Sequence, residues 1–350
     1  MRKNQRLFRL FALVFLGFVV SVRAENDTAI TWFPVVFYTP ETGAGLGAGV
    51  VGTKRPNGRL GIPDTLSFVS FVTAQNQFFF LAVPEVYRGP WKFEMPMSYL
   101  NHPDDFYGVG AVNSEKDKDP YSAQGNALKP SVSHTVWKNL RAGVFFDTGW
   151  KKISDFNEDQ HFGPSPIPGE EGGRTSGAGP TLEWDDRDNL FSPSKGGVYH
   201  LEVGRYRPGL GSDYRYNTFV LDTRRYVSFF PSKVLAFQAV FERRTGDVPF
   251  YEWPRLENLR GIIENRYRDE NSLLIQTEYR FPLKKRLSGV AFGGAGSVWG
   301  KSPWRFQDVK PAGGGGLRYA LNEREKINLR VDLGFSADGA NVYVRMLESF

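Results

Sequence analysis

Apolar and polar residues alternate with a period of two along most of this chain. Between Leu273 and Phe281 every second residue is apolar or aromatic apart from one threonine, while Glu278 and Arg280 occupy the other face. The segment from Ile327 to Phe335 repeats the pattern, with Asp332 on its polar face. Strands of a membrane β-barrel alternate in this way between lipid and lumen. A half-buried sheet of a soluble β-sandwich would also alternate, so the pattern predicts strands without deciding their surroundings.

The lengths of the connections separate these two alternatives. The alternation predicts sixteen strands, near 32–38, 42–54, 64–75, 76–88, 91–102, 120–134, 139–154, 174–187, 196–208, 213–229, 233–247, 270–282, 287–299, 311–321, 326–336 and 340–350. Connections after even-numbered strands are mostly tight, whereas those after odd-numbered strands include the long polar ones, about 103–119, 155–173, 248–269 and 300–310. Outer-membrane barrels have short periplasmic turns and long external loops. The sequence therefore predicts an all-β, transmembrane antiparallel barrel of about sixteen strands.

The N-terminus has the pattern of a secretory signal peptide. Four basic residues precede and flank an apolar run from Leu10 to Val20, and Ala24 closes a plausible small-residue cleavage site. The run is shorter than the roughly 20 residues that a membrane-spanning helix needs. We therefore expect a signal peptide over residues 1–24 and a single barrel domain over residues 25–350.

Composition narrows the functional classes. The chain has no cysteine, which excludes disulfides and thiolate metal sites. Five of its 44 Lys and Arg residues lie in the expected signal peptide, which leaves 39 against 38 Asp and Glu residues. The mature chain is therefore close to neutral, and the electrostatic case for nucleic-acid binding disappears.

The first and last strands are predicted to meet at a weak seam. The first strand, Thr31–Tyr38, contains Pro34, which cannot donate to a strand ladder. The last strand, Asn341–Phe350, must pair with it to close the barrel, so the expected seam residues are Pro34, Tyr38, Val344 and Phe350. An edge that is poorly hydrogen-bonded can accept a strand from another protein.

Several motifs resemble those of one protein family. They are Tyr38 to Gly47, Trp184 to Asn189 with Pro193 to Gly196, Leu259 to Ile262, Phe292 to Trp299, and Gly313 to Ala320 followed by Ile327 to Phe350. Together they resemble the barrel of BamA/TamA-type outer-membrane assembly proteins, the bacterial surface antigen superfamily. No single motif is specific, but together they extend over most of residues 32–350.

The resemblance implies an inward-folded loop over residues 248–269. In the family, the arginine of the Arg260-Gly261 motif enters the lumen and pairs with acidic groups on the following strands. Glu278 stands at one acidic position, whereas Gly294 replaces the aspartate usual on strand thirteen. A guanidinium in a lumen needs a carboxylate in bidentate reach, so we expect Glu278 as the partner, with Asp332 or Asp185 as substitutes. The alternative is that Arg260 is an ordinary exposed loop arginine.

The resemblance also implies a function. Family members usually carry periplasmic POTRA repeats before the barrel, and the stretch between Ala24 and Trp32 has no room for one. We expect a barrel-only member in the bacterial cell outer membrane that assists insertion, assembly or translocation of other proteins or envelope components. Its expected partners are outer-membrane lipid and lipopolysaccharide, unfolded outer-membrane or secreted client proteins, and a periplasmic partner. The alternative is a passive pore or structural barrel.

Signals for an enzyme are weak. The four histidines, His102, His134, His161 and His200, lie in no nucleophile elbow or His-Glu-x-x-His spacing. The Gly313–Gly316 run precedes a strand and no helix, so it lacks the helix dipole of a phosphate cradle. The Asp185–Asp188 cluster has hard oxygens suited to Ca²⁺, but alternation along a strand points its side chains apart. We expect no catalytic residue, no metal site and no cofactor.

Overall fold

A computed structural model describes residues 20–24, 28–39, 43–55, 62–113, 115–155, 167–230, 232–256, 258–263, 265–301 and 304–350. The described chain is one antiparallel sheet of nineteen strand segments with short 3-10 turns in some connections. The segments are β1 (Val20–Ala24), β2 (Thr28–Thr39), β3 (Gly43–Lys54), β4 (Asp64–Thr73), β5 (Phe78–Arg88), β6 (Trp91–Glu94), β7 (Met97–Phe106), β8 (Asp119–Leu128), β9 (Ser131–Trp137), β10 (Leu140–Ser154), β11 (Gly172–Asp185), β12 (Gly196–Tyr206), β13 (Tyr216–Phe230), β14 (Lys233–Gly246), β15 (Asn271–Lys284), β16 (Leu287–Trp299), β17 (Lys310–Asn322), β18 (Ile327–Ser336) and β19 (Gly339–Met346).

Two pairs of segments are single strands interrupted by proline. β6 and β7 both pair with β5 and are separated by Met95 and Pro96, while β8 and β9 both pair with β10 and are separated by Lys129 and Pro130. Proline has no N–H for the ladder, so it interrupts pairing at these points. When each pair is counted once and β1 is set aside, the described residues form the sixteen strands that the alternation predicts.

The two faces of the sheet differ as the alternation predicts. On β15, Gln276 and Glu278 are buried on the inner face, whereas Ile275 is exposed on the outer face. Buried charges such as Arg318 and Asp332 also lie on the inner face, and apolar residues such as Ile275 dominate the outer one. An apolar exterior around a polar interior is the arrangement of a membrane barrel.

The three longest connections, after β7, β10 and β14, lie at one end of the sheet, although the ten-residue connection after β11 lies at the other end and equals the connection after β16 in length. The turns after β5, β9, β13 and β15 span only a few residues, whereas the connections after β7, β10, β14 and β16 are long. We call these the short-turn end and the long-loop end. Across the short-turn end, Arg55 after β3 forms a bidentate pair with Glu325 before β18, at 2.6 and 2.9 Å. Val51 and Ile327 also pack in one cluster, so the early and late strands approach each other.

The final strand differs from the expectation. β19 ends at Met346, and Leu347 adopts a left-handed φ of 65°, which turns the last residues away from the ladder. Phe350 is buried against Tyr226, Val234 and Ala236, on the inner face of β13 and β14. The expectation that Phe350 lies on the last strand at the seam is therefore wrong, because the left-handed turn carries the residues after Leu347 into the lumen.

The first strand has an additional partner. β2 pairs with β3 along its length. The first five residues of β2, Thr28 to Trp32, also pair with β1, from Ala24↔Thr28 to Val20↔Trp32. β19 pairs with β18 over eight residues, and no register pair joins β2 to β19 among the described residues. The rest of the expected signal peptide, residues 1–19, lies outside the described residues. No helix in the described part of the chain is long and apolar enough to span a membrane.

Candidate functional site: an ion-pair cluster in the lumen

The connection between β14 and β15, residues 247–270, folds into the barrel. Its apolar residues Leu256, Leu259 and Ile262 are buried in one cluster with wall residues of β14, β15 and β16. These wall residues are Val240, Leu274 and Val298. Each buried aliphatic side chain contributes about 1.5–3 kcal/mol. Apolar packing therefore holds the body of the inward loop against the wall.

Two glycines allow the tip of the loop to approach the wall closely. Gly261 has φ 113°, a conformation that strains any residue with a side chain. A Cβ on Gly334 of β18 would lie 2.7 Å from the Gly261 nitrogen. The Arg260-Gly261 tip therefore lies directly on the backbone of β18, and only glycine at both positions permits this contact.

The structure places Arg260 between two buried carboxylates. Its Nη2 lies 2.7 Å from Glu278 Oε2, and its Nη1 lies 2.8 Å from Asp332 Oδ2. Arg260 is 4% exposed, and both carboxylates are fully buried. The guanidinium also stacks over the Phe292 ring, 3.6 Å from its centroid. Arg260 is thus a buried lumen residue and no exposed loop arginine.

The cluster extends well beyond Arg260. Arg318 of β17 lies 2.5 Å from Asp332, 3.3 Å from Glu278 and 2.9 Å from Glu348. Arg280 of β15 donates to Glu278 at 2.8 Å and to the Phe350 carbonyl oxygen at 2.9 Å. One network therefore joins the inward loop, three strands and the C-terminal residues.

Burial explains why these charges must occur together. Removing a charge from water costs several kcal/mol, and only close opposite charges offset it. Glu278 has three guanidinium groups within 3.3 Å, and Asp332 has two within 2.8 Å. The cluster is therefore stable when complete, and loss of one member leaves a buried charge with fewer partners.

Backbone atoms of the loop tip also bind the last two strands. The Gly261 N–H donates to Tyr343 Oη at 2.9 Å, and the Gly261 carbonyl accepts from Ser336 Oγ at 2.7 Å and Asn341 Nδ2 at 3.1 Å. Tyr343 and Asn341 belong to β19. The inward loop therefore holds the final strand directly.

Asp185 does not join the cluster. At the short-turn end of β11 it forms a bidentate pair with Arg187, at 2.9 and 2.7 Å, so the expectation that it substitutes as an Arg260 partner is wrong. In the following turn, Asp188 accepts from Ser194 Oγ and from the N–H groups of Ser194 and Lys195. Burial opposes ionisation of Asp188, but these hydrogen bonds outweigh it and lower its pKa. Asp188 thus stabilises the turn between β11 and β12.

That turn and the C-terminal residues cover the lumen at the short-turn end. Phe191 packs in a cluster with Ile327 and Val51, and Ser192 Oγ donates to Glu348 at 3.2 Å. The Pro193 carbonyl accepts from Arg280 at 3.1 Å. The lumen is thus covered by the inward loop from one end and by residues 186–195 and 347–350 from the other.

The remaining seam residues lie on the expected strands. Pro34 pairs in register with Ala48, and Tyr38 with Ala44, both on β3. Val344 pairs in register with Val331 of β18. These three residues therefore contact the neighbouring strands on their own sides of the seam.

Several members of the site have no individual signal in the sequence, namely Arg318, Glu348, Asn341, Tyr343 and Ser336. Arg280 stands on the polar face of its strand, and the alternation gives it no specific partner. The alternation along β17 predicts that Arg318 faces the lumen, but many barrel lumens carry such charges without a specific role. The pairing of strands 15, 17 and 18 in space was the missing information.

Gly294 departs from the family pattern for a packing reason. A Cβ at this position would lie 2.6 Å from the Ile275 carbonyl oxygen and 2.7 Å from Gln276 Cβ. The carboxylate that the resemblance places here is therefore absent, and Asp332 from β18 supplies the second charge to Arg260 instead.

The histidines lie apart from this cluster. His200 lies between Glu183 and Glu202, with nitrogen–oxygen distances of 3.6 and 3.8 Å. His134 packs edge-on against Trp91, with ring centroids 4.6 Å apart. His102 lies on β7, and His161 lies outside the described residues. The described histidines thus sit on strands, away from the Arg260 cluster.

Comparison with known proteins gives matches at the level of structure. No protein-family model and no curated protein matches the sequence. The structure of BamA from Haemophilus ducreyi lacking POTRA domains 1–3 matches with a TM-score of 0.59 and 13% identity, over 97% of this chain and 75% of that one. CdiB from Acinetobacter baumannii matches with a TM-score of 0.56 and 11% identity, over 95% of this chain and 65% of that one. The chain therefore has a barrel fold similar to those of BamA and CdiB, and the predicted resemblance to BamA-type barrels is confirmed at the level of fold.

Proposed function

We propose that this protein is an outer-membrane barrel that assists insertion, assembly or translocation of other proteins or envelope components. The observation that carries the proposal is the state of the two terminal strands. β19 is short, turns inward at Leu347 and is bound by the tip of the inward loop. On the edge that faces away from β3, β2 pairs with Val20–Ala24, which belongs to the expected signal peptide and leaves this edge when that peptide is cleaved. The fold shared with BamA and CdiB agrees with the proposal.

The mechanism follows from strand chemistry. An edge strand presents unpaired N–H and C=O groups, and an extended segment can pair with them by β-augmentation. The first five residues of β2, Thr28 to Trp32, pair with an added strand in regular register. A client strand would pair with the same backbone groups of β2. Release of β19 by the inward loop would widen the gap between β2 and β19. The proposal includes no catalytic step, metal or cofactor.

The location belongs to the same proposal. We place the long-loop end outside the cell and the short-turn end in the periplasm, since outer-membrane barrels sort their connections in this way. The signal peptide expected over residues 1–24 would deliver the chain to that membrane. A periplasmic partner would meet the short-turn end.

Crosslinking the seam tests the proposal. Because the chain lacks cysteine, Pro34→Cys on β2 and Val342→Cys on β19 can be joined by a bifunctional maleimide. The locked barrel is reconstituted in liposomes, and folding of an unfolded outer-membrane protein is followed against empty liposomes. We expect the unlocked barrel to accelerate folding and the locked one to lose this effect. Val331→Cys with Val344→Cys joins strands that are already paired, so this control should retain activity.

A passive pore is the second candidate, favoured by the polar lumen residues such as Glu278 and Asp332. An unlocked barrel that is correctly folded and does not accelerate client folding, together with conductance that rises in Arg260→Ala, would favour it. Equal client folding by locked and unlocked barrels would refute a mechanism through the seam.

A further inference from the structure

Two adjacent turns at the short-turn end carry a dense group of exposed cations. The end of β15 and the turn that follows it carry Lys284, Lys285 and Arg286, all exposed. The turn between β17 and β18 adds Arg324 and Lys326, whose side chains are 55% and 46% exposed. We call these five side chains the basic rim. The two turns are joined, since the Arg286 carbonyl accepts from the Ala320 N–H at 2.9 Å.

The basic rim has a large excess of positive charge. Glu323 is the exposed carboxylate of the two turns and pairs with Arg286 at 2.7 Å. Glu325 is buried, and Arg55 binds both of its oxygens. Arg324 lies 3.7 Å from Glu325, and Lys326 lies 3.9 Å from Asp188, which adds a third carboxylate. With Arg55 included, six cations face Glu323, Glu325 and Asp188, which leaves the surface with a net charge near +3. Such a surface needs an anionic neighbour to relieve its self-repulsion.

Exposed and half-buried aromatic side chains lie next to the rim on the outer face. Phe229 stacks on Tyr279, and Tyr279 on Phe281, with ring centroids 5.9 and 5.4 Å apart. Leu283 and Tyr319 are exposed beside them. Aromatic girdles of barrels lie at the membrane–water interface. The basic rim therefore lies at the level of the lipid headgroups.

Two other turns at this end carry fewer cations. At the end of β5, Arg88 is paired with Asp64 at 2.8 Å. In the turn after β9, Lys138 lies over the Trp137 ring, 4.9 Å from its centroid. Among the described residues, the sector of β15 to β18 therefore carries denser positive charge than these two turns.

We propose that the basic rim binds the phosphate groups of anionic lipids in the leaflet around the short-turn end. The adjacent exposed aromatics and Leu283 face hydrocarbon, so the nearest anions available to the rim are lipid headgroups. Basic residues within a Debye length of a membrane surface attract anionic lipid. The surface would enrich such lipid beside the last strands of the barrel. This proposal goes beyond the proposed function and does not depend on it.

Site-specific lipid quenching tests the proposal. Leu283→Cys places a fluorescent label beside the rim, and Val136→Cys places the same label on the opposite wall, also at an exposed position. Each labelled barrel is reconstituted in phosphatidylcholine vesicles with a small fraction of spin-labelled phosphatidylglycerol or spin-labelled phosphatidylcholine. The ratio of quenching by the two probes measures the local preference for anionic lipid.

We expect the ratio at position 283 to exceed that at position 136 by about threefold at low salt. The triple variant Lys284→Gln/Lys285→Gln/Arg286→Gln should bring the two ratios together, and Lys138→Gln should leave them unchanged. Retention of heat-resistant electrophoretic mobility shows that each variant is folded. Equal ratios at the two positions, or a ratio at 283 that the triple variant does not change, would overturn the proposal. An added acidic protein that binds wild-type vesicles while the lipid ratios stay equal would assign the rim to a protein partner instead.

Discussion

Arg260→Met isolates the contribution of the loop guanidinium. Methionine retains most of the apolar stem while it removes two ion pairs, at 2.7 and 2.8 Å, and the stacking on Phe292. Removing one partner of a buried pair costs about 3–5 kcal/mol. Glu278 keeps Arg280, and both carboxylates keep Arg318. We therefore expect a loss at the lower limit, about 3 kcal/mol, in the free energy of docking the loop tip.

Such a loss changes the population of the undocked loop by roughly a hundredfold. Hydrogen exchange of the Leu259–Ile262 backbone, followed by mass spectrometry, measures this population because the Gly261 N–H is bonded to Tyr343 in the docked state. We expect exchange there to accelerate by about that factor, while the β13–β14 wall is unchanged.

The control is Arg305→Met, at an exposed position in the connection after β16. It should leave exchange of the loop tip unchanged. Wild-type exchange of residues 259–262 in a folded Arg260→Met barrel would refute the view that the ion pairs hold the tip in the lumen.

Three further predictions concern the loop and the lumen. Gly334→Ala places a Cβ 2.7 Å from the Gly261 nitrogen and should undock the tip at a cost of about 1–3 kcal/mol, seen as faster exchange at Gly261; unchanged exchange would mean that the backbone yields freely. Phe350→Ala removes a buried ring from Tyr226 and Val234 and should lower the temperature of heat-induced unfolding in gels, at a cost of about 3 kcal/mol, whereas exposed Phe306→Ala should have no effect. In the connection between β14 and β15, burial opposes ionisation of Glu252, but Lys151 and Arg244 outweigh it and lower its pKa to about 2. Its contribution to stability is therefore complete above pH 4.5 and is lost as the pH falls from there to about 2, so Glu252→Gln should reduce the acid lability of the folded barrel in that window.

The class of fold and the strands follow from the order of residues along the chain. Because side chains alternate between lipid and lumen, each strand records its own faces, and the alternation on β15 gives both the buried Glu278 and the exposed Ile275. The two ends of the barrel can also be predicted, because the longest connections follow odd-numbered strands and consecutive strands run in opposite directions. Both facts depend only on order along the chain. The Arg260-Gly261 motif predicts an inward loop over residues 248–269 through resemblance alone, because a motif is read along the chain.

Tertiary structure alone decided which charges meet. Arg260, Glu278, Arg318 and Asp332 come from a loop and three strands, and their approach depends on barrel curvature and on the glycines at 261 and 334. Asp185 has the same chemistry as Asp332, but its own neighbour Arg187 binds it at the far end of a strand. The inward course of Phe350 follows from a single left-handed residue, Leu347, and from the Arg280 guanidinium. Glu348 interrupts the apolar face that leads to Phe350, but this single residue does not show that the strand ends at Met346, which only the contacts of the folded barrel reveal.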